Sequence, residues 1–145
     1  MTPSETNEGL LEQVLKETAE QAAFLFLDGE GSAANSDVEL VHATITLSPA
    51  GASEQLVLRM TEVMAREIAA NMLGSDKDDP EVVSSANSAV GELLNIIAGA
   101  FAVARFGKGT HCDIGIPVVA AGRGPEGKGV TLWSDGSPIE LLRAS

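Results

Sequence analysis

An α/β chain of the α+β kind, with a mostly antiparallel sheet covered on one side by a long helix and two companions, is predicted by three features of the sequence. Residues 80–105 repeat apolar side chains every three or four positions. Residues 41–47 alternate apolar with polar side chains, Leu56, Leu58 and Met60 alternate with Gln55, Val57 and Arg59 beyond a turn, and three further strand-like runs follow Gly109. The sheet should then hold about five or six strands.

The 145 residues suit one domain, 1–145, with a core large enough to need no disulfide staples. A formal net charge of −12 with only nine Lys and Arg argues against nucleic acid, because affinity for a phosphate backbone comes from clustered basic residues. An anionic membrane surface is disfavoured by the same sign of charge. No apolar run approaches the roughly 20 residues that span a bilayer. Residues 1–6 read as a flexible polar terminus without the pattern of a secretory signal, and the lone Cys112 offers no disulfide framework. A cytoplasmic protein is expected.

Residues 7–27 recur at helical spacing through Leu11, Val14, Leu15, Thr18, Ala22, Leu25 and Phe26, and Glu12 stands four residues before Lys16. Thr6 or Asn7 can cap this helix and Asp28-Gly29 can end it, although residues 24–27 are apolar enough to start a strand instead. Residues 31–37 read as a loop. The strand 41–47 and the strand 55–60 flank the turn Ser48-Pro49-Ala50-Gly51 and predict a hairpin. Thr61 caps a second helix that runs to Leu73, with Met64, Ile68 and Met72 inward and Gly74 as its stop.

The acidic run from Asp76 to Asp79 resembles a calcium loop only superficially. Counting from Asp76, the sixth and twelfth positions hold Glu81 and Asn87, where an EF-hand requires Gly and Glu. Asp79, Pro80 and Glu81 instead make a helix start: a capping carboxylate, a proline at the first helical position and an acid in the first turn. After the long helix, the strand candidates are residues 112–120, 130–133 and 139–142. Pro117 within the first implies an edge or a bulge. Gly122, Gly124 and Gly127 match a dinucleotide-binding string, but Pro125 lies inside it and a strand follows it, so it reads as a glycine-rich hairpin loop. His42, His111 and Cys112 cannot by themselves complete a zinc site, and His111 and Cys112 as strand neighbours point to opposite faces. No metal site is predicted.

The long helix has two faces. Val83, Ala86, Val90, Leu94, Ile97, Phe101 and Ala104 form an apolar stripe, and Ser85, Ser88, Glu92, Asn95, Gly99 and Ala102 run nearly opposite. On that second face Glu92 and Asn95 are the only long polar side chains, three positions apart among small neighbours. A partner's backbone could come close there. Read alone, the pair is no more than a solvated helix face.

The spacing Ser88-x3-Glu92-x2-Asn95, followed by Pro117 after twenty-one residues, resembles the signature of the CheC/CheX/FliY family of chemotaxis phosphatases. Four residue types at three fixed distances should arise by chance about once in several hundred chains. The element order from Leu10 to Arg143 resembles a CheX-type domain, and the single motif copy is CheX-like. The resemblance implies an enzyme that hydrolyses the aspartyl phosphate of a phosphorylated CheY-type response regulator. Asn95 would orient the attacking water and Glu92 would pair with the regulator's lysine. Ser85, Ser88 and Gly99 would line the partner-binding surface. It implies no cofactor of the chain's own, a Mg2+ ion in the partner regulator, and a homodimer. Many relatives carry Asn after the motif glycine, where this chain has Ala100. The alternative is a non-catalytic CheX-like adaptor that binds a receiver domain or a signalling complex.

Overall fold

The computed structural model describes residues 7–29, 39–49, 51–76, 78–134 and 136–144. The proposed cap Thr6, the flexible terminus 1–6 and the loop 31–37 lie outside them. Among the described residues three helices, α1 (Asn7–Ala23), α2 (Glu62–Leu73) and α3 (Pro80–Phe106), accompany six strands: β1 (Leu40–Pro49), β2 (Glu54–Thr61), β3 (Cys112–Ile114), β4 (Val118–Ala121), β5 (Gly127–Ser134) and β6 (Ser137–Ala144). Every pairing is antiparallel, and the order across the sheet is β3-β1-β2-β6-β5, with β4 also on β1. The fold is the α+β arrangement expected from the sequence.

Local chemistry explains the helix ends. The Thr61 hydroxyl accepts the Met64 N–H at 3.1 Å, and Gly74 ends α2 in the left-handed region at φ 68°. The Asp79 carboxylate accepts the Glu81 N–H at 2.9 Å, and Pro80 opens α3. The first helix stops at Ala23 and not at Leu27, so residues 24–27 leave it, as the alternative reading of that run allowed, although no strand begins there. Phe24 takes φ 55°, a costly conformation for a bulky residue, and its ring is left exposed. Asn71 of α2 donates to the Ala23 carbonyl at 2.8 Å, satisfying a terminal acceptor. Asp28 then exchanges backbone hydrogen bonds with Trp133, so the chain after α1 is laid along the edge of β5. Tertiary pairing overrides the helical spacing.

The core lies between the helices and the inner sheet face. Alternate residues of β1 (Val41, Ala43, Ile45 and Leu47) are all at most 2 % exposed and pack with Leu56, Leu58 and Met60 of β2. On α3 the buried stripe is centred on Val82, Val90, Leu94, Ile97 and Phe101. Two members of the predicted stripe, Val83 and Ala104, are exposed, and Ala102 of the opposite face is buried. The helix packs against α1, α2 and the sheet at once, so its buried arc is wider and rotated from a simple single-surface stripe. That burial also resolves a misreading of hydropathy. Contrary to the expectation that no run approaches a membrane span, α3 is by length and composition long and apolar enough to cross one, an 18-residue window within it reaching a mean hydropathy of 1.5. In this fold it is a core helix.

The edge beyond β1 is broken. Ile114 pairs with Leu47 and Val118 with Thr44, so four steps along the edge match three along β1. The extra residue makes a β-bulge at residues 115–117, where one strand (112–120) was expected. Proline without an N–H is accommodated there, and Gly115 donates to the Thr46 carbonyl at 2.9 Å.

The glycine-rich segment 122–126 is not a hairpin loop. It leaves β4 at one edge and enters β5 at the other, crossing the outer face over β1, β2 and β6. The Arg59 guanidinium, 2 % exposed, holds it there by donating to the Arg123 carbonyl at 2.8 Å and the Pro125 carbonyl at 3.4 Å, and it pairs with Glu140 at 2.5 Å. His42 donates from Nδ1 to the Gly122 carbonyl at 2.9 Å, and Gly124 lies so close above the imidazole that a methyl group would overlap it. Glu54 binds both Arg105 and Arg143, tying the end of α3 to β2 and β6.

Candidate active site

Helix α3 presents Ser88, Glu92 and Asn95 on its exposed side, with Ser85 and Gly99 half-buried at the margins. The proposed partner surface is therefore open, except that Ala102 turns inward. On a helix, residues three apart have Cβ atoms roughly 5–6 Å from each other, so the Glu92 carboxylate and the Asn95 amide can reach one small target together. Among the described residues, neither is engaged in a hydrogen bond or ion pair. They are free to meet a partner, and rigid packing holds the helix beneath them, for Leu93, Leu94 and Ile97 are fully buried. Ala100 is exposed on the helix surface.

Pro117 is brought to the same place. Its ring lies against Gly91, one residue before Glu92, with Cβ and Cγ both 3.7 Å from where a Gly91 Cβ would stand. The bulge thus forms one bank of the motif face. Ile116 beside Pro117 is 86 % exposed and gives that bank an apolar tip. Sequence reasoning missed this contact, although a glycine at the centre of a helix was a signal for close approach.

A second feature that the sequence did not suggest is a polar cleft of about 350 Å3 between α2 and α3, lined by Glu62, Arg66, Val83, Ser84 and Asn87 among others. A hydrogen bond to Glu39, desolvation and the like charge of Glu39 raise the Glu62 carboxyl above its ordinary value, against the opposing effect of Arg66. A carboxyl whose pKa is higher in the folded than in the unfolded chain binds more protons folded, so its contribution to stability falls as pH rises from about 4.5 through the raised value. Glu62→Gln should flatten that fall. Thermal melts of both proteins from pH 4 to pH 8 should show the variant gaining on the parent toward neutrality, and curves that stay parallel would contradict it.

Among the described residues no three His, Cys, Asp or Glu side chains gather to hold a metal. His111 binds Asp113 at 2.8 Å on the surface, whereas Cys112 packs partly against the core.

Fold and face together define a class: an antiparallel α+β domain that offers a carboxylate and an amide from an open, firmly seated helix. The model of the family described as chemotaxis phosphatase CheX matches residues 41–129, and the chain belongs to that family, within the CheC/CheX/FliY group. Solved structures share the fold. The chemotaxis protein CheX from Vibrio vulnificus is 23% identical with a TM-score of 0.70, the match covering 95% of each chain. The CheX-CheY-BeF3-Mg2+ complex from Borrelia burgdorferi gives 20% identity and a TM-score of 0.70 over 93% of this chain and 94% of that one. FliY from Thermotoga maritima gives 15% and 0.61 over 100% and 92%. No curated protein matches the sequence.

Proposed function

We propose that this chain is a phosphatase that hydrolyses the aspartyl phosphate of a CheY-type response regulator, and that it works as a homodimer in the cytoplasm. The observation that carries the reading is the Glu92–Asn95 pair, unengaged and exposed on a helix whose opposite side is fixed in the core. Family membership and the CheX–CheY complex among the structural neighbours support the choice of partner.

The residue types suit the chemistry. An amide is no general base, but its oxygen can accept a hydrogen bond from water and its nitrogen can donate one to a phosphoryl oxygen. Phosphoryl transfer depends mainly on positioning and charge stabilisation, so a water aligned by Asn95 for in-line attack is the contribution required. The bond formed joins the water oxygen to phosphorus, and the bond broken releases the regulator's aspartate and inorganic phosphate. Glu92 pairs with a lysine of the regulator and fixes the register of docking. A Mg2+ ion held by the regulator would offset phosphoryl charge, and no residue of this chain is assigned to it.

The test is the decay of phosphate on a cognate regulator phosphorylated in vitro, with and without the protein. Accelerated decay supports the phosphatase reading. Unchanged decay in the presence of demonstrable binding would make the protein an adaptor.

A further inference from the structure

We propose that Gly91 and Pro117 act as a positioning pair, setting the height and rotation of the α3 face on which Glu92 and Asn95 stand; this rests on the phosphatase reading above. Glycine is the poorest helix former apart from proline, yet Gly91 lies near the centre of a 27-residue helix. The bulged sheet edge explains its presence. A Cβ at Gly91 would lie 3.2 Å from Val119 Cγ2, so that this methyl would have to give by a few tenths of an ångström, and 3.7 Å from Pro117 Cβ and Cγ, in ordinary contact with the ring. Pro117 brings a rigid ring to the contact from the bulge, and Val119 of β4 is packed against the core two residues on.

The contact is placed to control the chemistry. Gly91 immediately precedes Glu92 and lies one helical turn before Asn95, so a displacement at Gly91 moves both side chains together. Ordinary helix packing would tolerate a shift of a few tenths of an ångström. In-line attack by an oriented water would not.

The experiment compares wild type, Gly91→Ala, Pro117→Ala and the double variant Gly91→Ala/Val119→Ala, measuring kcat and KM for regulator dephosphorylation together with Tm. Gly91→Ala should lower kcat about tenfold with KM little changed, while Tm stays level or rises because Ala is the better helix former. A purely structural glycine would not separate activity from stability in this direction. Pro117→Ala, which adds no bulk, should also lower kcat, and removing the Val119 methyls from the Gly91→Ala protein should restore it. Full kcat in both Gly91→Ala and Pro117→Ala, or a loss confined to KM, would overturn the proposal. An inactive wild type would overturn the phosphatase reading itself, and the two failures are told apart by that control.

Discussion

Asn95→Ala should slow dephosphorylation of the regulator about a hundredfold, the scale on which positioning of a reactant contributes to a barrier. The fold should not suffer. Asn95 is exposed and, among the described residues, bonded to nothing, and Ala favours a helix more than Asn does, so Tm should hold or rise slightly. Loss of rate with retained Tm and retained binding would assign the residue to the reaction. Glu92→Gln provides the contrast, since the isosteric amide keeps the size but loses the charge that pairs with a lysine. It should weaken docking and catalysis together. An Asn95→Ala protein that keeps more than about a third of the rate would remove the amide from the mechanism.

Glu140→Ala should destabilise the protein by about 3 kcal/mol, because it strips the carboxylate from a guanidinium almost wholly removed from water. Two considerations set the size. Removing one partner of a buried pair typically costs about 3–5 kcal/mol, and here Glu140 is a quarter exposed while two backbone carbonyls still accept from Arg59, which favours the lower end. Urea denaturation measures the loss directly. Replacing both charges, as Arg59→Met with Glu140→Leu, should cost much less than Glu140→Ala, because no unpaired charge then remains. A single variant within about 0.5 kcal/mol of the parent would mean that the guanidinium reaches water by another route.

What could be read from the sequence was local. The starts at Thr61 and Asp79-Pro80 and the stop at Gly74 depend on contacts within a few residues, and they occur as read. The exposure of Glu92 and Asn95 followed from helical geometry for the same reason. Spacing leaves the end of α1 open between Leu27 and a strand-like run from Phe24 and cannot decide it, since Phe24 adopts a conformation that its own side chain disfavours and that leads the chain to Trp133, over a hundred positions away. The segment after β4 was misread because glycine content reveals a turn but not which strands the turn joins. The stripe on α3 was partly misassigned because spacing defines the direction of one contact, whereas this helix has three neighbours. Gly91 is the instructive case. Its helix-breaking character was visible, but the bulge that makes use of it comes from pairing with β1.

The position of β6 has a consequence for how the molecule comes into being. Although it follows every other strand in the chain, it occupies an interior place between β2 and β5, and its bond from Arg59 to Glu140 spans 81 residues. Pairing β2 with β6 must therefore close a loop that contains the whole of α3, an entropic penalty that local helices cannot offset and that slows folding. Until residues 137–144 are seated, β2 has an open edge and β5 has no strand to join. Nascent or truncated chains lacking that segment would present strand edges available to other chains, and the finished platform under Glu92 and Asn95 would be among the last features to form.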